Sequence, residues 1–299
     1  MDIRNLTDQY YQFSDGFSQS HRDVDDILKK SLDELLIQQV SNSVRSSLQK
    51  TSNLSQIAQI VVNAEHFRLA CAQLEQLLAA LRAPHRGGKL RLDASSHFNT
   101  TLDMAQKRID SAIASKLDEF FGTAEYDWTP AQPQAEPSTF LPEMLQWLDT
   151  MMESVLTALP SDIKLEHYKT AFKYIVGVLF NDHLLNKEDP QLSLAGLRSV
   201  VVDGRFLMSQ ADRLGQGISS VFEELNQTLT ILLDDKVNEY AMNTTVRQSK
   251  YRLVIPTKLA ALLEKLGRYE GRPGTGDAGE RASLRRRSER DAVMRLVRR

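Results

Sequence analysis

Apolar residues recur at steps of three and four along most of the chain, the spacing of amphipathic helices and not of strands. Between His21 and Gln49 the stripe is Val24, Ile27, Leu28, Leu32, Leu35, Leu36 and Val40. From Leu54 to Leu81 it is Ile57, Ile60, Val61, Ala64, Phe67, Ala70, Leu74, Leu77, Leu78 and Leu81. At ~1.5 Å per residue the second helix would be about 42 Å long. Neither stripe sustains a heptad of a and d positions, so packed bundles are expected in place of a free coiled coil. "APHRGGK" at 83–89 ends the second helix with a proline and paired glycines. "DASSHF" then offers Asp93, Ser95 and Ser96 as N-caps for a third helix reaching Phe121. Strand signals are nearly absent: "VVVDG" at 200–204 lies inside a longer helical pattern.

The periodicity lapses between Gly122 and Phe140, where Pro130, Pro133 and Pro137 hold the residues before them extended. This stretch is expected to be a Pro-rich linker, 122–140, between an N-terminal helical subdomain, 1–121, and a C-terminal one, 141–270. Helices are expected at Leu141–Pro160, Ser161–Leu185, Gln191–Ala211, Gln216–Met242 and from Pro256 onward. "GRPGTGDAGE" at 271–280 reads as a flexible break before a basic terminal helix, so that 271–299 forms a tail. The fold class is all-α, with two consecutive helical-bundle subdomains and about ten helices.

The segment "LPEMLQWLDTMMESVLTALP" needs a closer look, because twenty apolar-rich residues could span a membrane. Glu143, Asp149 and Glu153 argue against that, since a carboxylate at the bilayer centre costs about 2.5–3.5 kcal/mol. Glu143, Gln146, Thr150, Glu153 and Thr157 share one face, and Met144, Leu148, Met151, Val155 and Leu159 another, as in a packed core helix. The six histidines form no His-x-x-x-His or Glu-x-x-His pair, so helix-borne metal sites have no signature. The Gly-rich 271–280 lacks the Gly-Lys-Ser/Thr ending of a phosphate loop. Cys71, the only cysteine, lies in a helical stripe and reads as a small hydrophobe. No cofactor and no catalytic residue is indicated.

Charge is distributed unevenly. The net charge of −2 gives no reason to expect nucleic acid, yet from Gly271 onward nine arginines meet four acids. The arginines of this tail, including Arg285, Arg286, Arg287 and Arg290, could contact an anionic membrane weakly or form a solvated helix face. One cysteine and an N-terminus without a charged and then apolar leader suit a cytoplasmic protein.

Several blocks in order resemble one family. They are "IRNLTDQYYQFSD", "IAQIVVNAEHFRLACAQLEQLL", "AEYDWTPAQPQAEPS", "LPSDIKLEHYKTA", "YRLVIPTKLAALLEKL" and "LRRRSERDAVMRLVRR". They resemble the C-terminal half of the Rab-effector subunit of the exocyst, the Sec-fifteen subunit, in a form similar to fungal members. The resemblance implies an elongated rod of antiparallel helical bundles without a catalytic site. It also implies a non-catalytic role in tethering secretory vesicles, through a GTP-loaded Rab, to exocytic sites on the plasma membrane. Other exocyst subunits, myosin V and a Rab exchange factor are the further partners it implies, with a peripheral cytoplasmic location. For the Rab contact we select "LAGLRSVVVDGRFLM", 194–208, where Arg198, Val202, Asp203 and Phe206 could form an exposed apolar patch with a polar rim. The alternative is a helix buried on two sides. Three other functional readings are carried: a lipid-binding scaffold using the basic tail, a component of a different tethering complex, and a helical hydrolase whose triad meets only in space.

Overall fold

The computed structural model describes residues 5, 9, 21–81, 91–186, 188, 191–215 and 217–297. The breaker at 83–89, and the block at 3–15 apart from residues 5 and 9, lie outside the described residues. Among the described residues none is in a strand. The first helices are α1 (His21–Glu34), α2 (Asn42–Lys50), α3 (Leu54–Leu81) and α4 (Ala94–Gly122). Next come α5 (Phe140–Thr150), α6 (Ser161–Gly177), α7 (Leu194–Leu214), α8 (Glu223–Leu233) and α9 (Val237–Met242). The last three are α10 (Thr244–Lys250), α11 (Pro256–Glu270) and α12 (Gly276–Val297). Widened π-helical segments continue α1 at Leu35–Ser41, α5 at Met151–Val155 and α6 at Val178–Leu184. The chain forms two compact units, 1–112 with 150–164 and 113–149 with 165–299.

In the first unit, Cys71, Leu92, Ala94 and Phe98 are buried together, with Leu32, Leu36, Ile37, Val40, Phe67 and Leu74 packed around them. Phe67 stacks on Phe98 with ring centroids 5.3 Å apart. The expected stripe of α1 holds only in part. Ile27 and Leu35 face solvent, and Ile37, just after the π turn begins, takes a core position in place of Leu35. A π turn holds an extra residue and so rotates the apolar stripe about the helix axis.

Charged side chains close the helix ends of this unit. The Ala94 N–H donates to the buried Asp33 carboxylate at 2.9 Å, and the Leu92 N–H donates to Glu75 at 2.7 Å. Two acids from other helices thus meet the positive N-terminal end of α4. At the opposite end of α2, Arg108 donates to the carbonyls of Leu48 and Thr51, the second at 2.6 Å. Cys71 is fully buried, and burial, with Glu75 and Asp33 nearby, pushes its thiol up to about 11. The thiol stays protonated at neutral pH, as a structural cysteine should.

In the second unit the stretch expected as a Pro-rich linker has defined contacts. Residues 122–140 belong to this unit, as a strap bound along α7. The Ser193 N–H donates to the Trp128 carbonyl at 2.9 Å, while the Ser199 hydroxyl accepts from Gln134 N–H at 3.0 Å. Asp203, 1% exposed, accepts from Ser138 N–H at 2.8 Å, Ser138 Oγ at 2.7 Å and Gln134 Nε2 at 2.8 Å. The prolines keep the segment non-helical, and polar side chains of α7 then satisfy the backbone groups that no helix satisfies. Tyr126 stacks on Trp128 at 4.9 Å and meets Phe140 edge-on at 5.9 Å, which fixes the start of the strap. Gly196 is required here: a Cβ would lie 2.4 Å from the Trp128 carbonyl oxygen.

Removing the buried acceptor leaves three part-buried donors without it. Asp203→Ala should therefore destabilise the protein by about 3 kcal/mol, and Gly196→Ala by about 1–3 kcal/mol, in urea unfolding. Ala135→Ser, at an exposed strap position, should change stability by less than about 0.5 kcal/mol. Unfolding midpoints unchanged by both of the first two substitutions would show that the strap is not held in this way.

Candidate partner-binding surface

Helix α7 begins at an N-cap, Ser193, whose side chain accepts from the Gly196 N–H at 2.9 Å. Its inner face, Gly196, Leu197, Val200, Asp203, Gly204, Leu207 and Ala211, is buried. At 100° per residue, Arg198, Val202, Arg205, Phe206 and Ser209 gather on the other side. Arg198, Arg205 and Ser209 are exposed, and Val202 and Phe206 are half-buried.

Three of the four expected patch residues, Arg198, Val202 and Phe206, therefore lie on one outward-facing side. Asp203 does not join them: it points inward and anchors the strap. Burial pushes its carboxyl above the usual range, and the bonds from Ser138 and Gln134 oppose that shift. The run of three valines in "VVVDG" could not reveal this, because the donors that hold Asp203 inward come from about 65 residues earlier in the chain. Arg205, outside the residues selected from the sequence, stands at i+7 from Arg198 on the same face.

The tail also differs from a solvated basic helix. Helix α12 starts at Gly276, earlier than expected, after a turn in which Gly274 (φ 96°) and Gly276 (φ 62°) adopt left-handed backbone. It packs on α11, where Gly267 and Gly271 leave room for Arg286 and Ser283. Arg286 is buried between Glu270 at 3.3 Å and Glu289 at 3.1 Å. Arg285 pairs with Glu289 at 2.9 Å and with Asp235, and Arg290 pairs with Asp291 at 3.0 Å and Glu264 at 3.6 Å. Only Arg287 of these four is exposed without an ion pair among the described residues. Three arginines of the tail, Arg285, Arg286 and Arg290, are thus paired within the fold.

Among the described residues no group of three or more His, Cys, Asp or Glu side chains could hold a metal ion. No described helix is long and apolar enough to cross a membrane. The histidine ring at 183 lies 5.2 Å from Tyr126 and 5.3 Å from Phe121, as part of an aromatic cluster. The geometry offers surfaces for another macromolecule.

The family described as "Exocyst complex subunit Sec15 C-terminal" matches residues 1–265. Exocyst complex component 6 of Homo sapiens is 26% identical over 264 residues, covering 85% of this chain and 33% of that protein. Exocyst complex component sec15 of Schizosaccharomyces pombe is 27% identical over 242 residues, covering 77% and 31%. Exocyst complex component 6 of Drosophila melanogaster is 24% identical over 270 residues, covering 88% and 35%. The chain spans about a third of the length of the curated relatives it matches. No solved structure matches. The arginine-rich closing block at 284–299 lies beyond the residues that the family match covers.

Because Arg286 is buried between two acids, Arg286→Ala should cost about 1.5–3 kcal/mol by removing its charged hydrogen bonds to Glu270 and Glu289, although Glu289 keeps its pair with Arg285. Arg287→Ala, one residue along, should change stability by less than about 0.5 kcal/mol. Equal thermal stability of the two variants would contradict a structural role for the paired arginine.

Proposed function

The chain belongs to the Sec15 C-terminal family of exocyst subunits, and on that premise we propose that it is a non-catalytic region of a vesicle-tethering subunit. In this reading it binds a GTP-loaded Rab on secretory vesicles, while contacts to other exocyst subunits link the vesicle to the plasma-membrane exocytic site. Myosin V and a Rab exchange factor are further partners under the same proposal, which places the protein in the cytoplasm at vesicles and sites of exocytosis.

The family match over residues 1–265 carries the reading. It includes all of α7, whose outward face supplies the Rab contact in this proposal. Arg198 and Arg205 are exposed and make no ion pair among the described residues, and Val202 and Phe206 present partly open apolar surface between them. An apolar centre with a charged rim is what a specific but reversible protein contact uses.

Pull-down of the purified chain with Rab proteins in their GTP and GDP forms tests the proposal. GTP-dependent capture is expected, and Val202→Asp should weaken it by about tenfold or more with unchanged helicity, by burying a charge at the interface. Capture that ignores the nucleotide, or a Val202→Asp variant that binds like wild type, would refute the assignment to α7.

A further inference from the structure

Beyond the Val202–Phe206 patch, the C-terminal half of α7 borders a cavity of about 150 Å³. Leu145, Leu148 and Phe172 form its floor with Leu214, and Asp149, Gln210 and Arg213 stand at its mouth. An apolar space of this size accommodates a benzene ring, so one phenylalanine or leucine side chain would fit. The mouth is polar but not closed by its own charges. Arg213 donates to Gln210 Oε1 at 3.1 Å, Asp149 accepts from the Tyr168 hydroxyl at 3.1 Å, and the two ions do not pair with each other.

The surroundings decide what could enter. Arg213, Arg205 and Arg198 lie within about 80° of one another around the helix, at 100° per residue. None of them forms an ion pair among the described residues, and Asp212 is the one acid on this exposed face of α7. The chain's other buried or half-buried arginines near acids, such as Arg286 and Arg290, are neutralised. An apolar hole at one end of an unneutralised arginine row favours a ligand with the opposite charge and one bulky apolar group.

We propose that this cavity and the arginine row form a docking site for an extended acidic peptide segment of a protein partner. One phenylalanine- or leucine-sized side chain fills the cavity, and carboxylates spaced along the peptide meet Arg213, Arg205 and Arg198. The row from Arg213 to Arg198 rises about 22 Å at ~1.5 Å per residue. An extended peptide covers that distance with about seven residues at ~3.3 Å each, so a short linear segment suffices. The site adds a second contact to the surface proposed for the Rab and does not require that the Rab bind there.

Fluorescence anisotropy with a labelled peptide, FESEGESEGE, tests this on the full chain. Binding is expected to weaken by about tenfold when Phe is replaced by Ala, by about tenfold in Arg213→Glu, and steeply with added salt. The lysine analogue FKSKGKSKGK should not bind, since only Asp149 and Asp212 would attract it. Equal binding of the Ala peptide, of the lysine peptide, or by Arg213→Glu with unchanged circular dichroism would overturn the proposal, as would no binding of the first peptide. Arg213→Glu lies outside the Val202–Phe206 patch and should leave GTP-dependent Rab capture intact, so failure of the Rab assignment and failure of this one are read separately.

Discussion

A chain built almost wholly of helices must satisfy the free N–H and C=O groups at every helix end, and that requirement organises this fold. Local caps such as Ser193 and Asn243 serve some ends, and ionisable side chains from distant helices serve others. Asp33 and Glu75 receive the N–H groups that lead into α4, and Arg108 donates to the last carbonyls around α2. In the second unit the buried Lys265 donates to the Leu184 carbonyl at 2.9 Å, where the widened end of α6 stops. Each carboxylate meets a helix N-terminus and each cation a helix C-terminus, so the macrodipole adds to the hydrogen bond. A terminus closed from another helix also fixes the register between the two, which apolar packing alone does loosely.

Asp203 applies the same solution to a segment with no helix to end. Three prolines remove the helical option between Gly122 and Phe140, and the chain must still cross the surface of α7. One inward carboxylate collects three donors and turns a potential tether into a fixed strap. With Asp203 committed inward, the adjacent outward positions of α7 are left to a partly apolar, arginine-bearing face. The strap therefore helps determine which side of α7 is available to a partner.

Much of this was legible in the sequence, because periodicity of 3.6 records burial directly. The limits of α3 were read to the residue, and α4 and α7 to within three. Periodicity failed where a π turn rotated the stripe, so that Leu35 faces water in place of the core. It also failed where polar residues decide. Proline spacing identified 122–140 as non-helical but could not show that Asp203 would bind it, since the acid and its donors lie far apart in sequence. The cavity beside Arg213 was equally hidden: Leu145, Phe172 and Leu214 each look like ordinary core residues until three helices meet.

The two arginine-bearing helices of the second unit separate structural from available charge. On α12, Arg286 and Glu289 are buried, and Val293 is the one apolar side chain of that helix that is fully buried. Ion pairs to Glu270, Asp235 and Glu264 help to seat α12, with small residues of α11 allowing close approach. Charges used in this way cannot also attract a partner without undocking the helix, at the cost of exposing an unpaired buried ion. On α7 the situation is reversed, since inward contacts are made by Leu197, Val200 and Leu207 and the arginines carry none of the packing. Arg285, Arg286 and Arg290 of α12 thus serve the fold, whereas Arg198, Arg205 and Arg213 of α7 make no ion pair among the described residues.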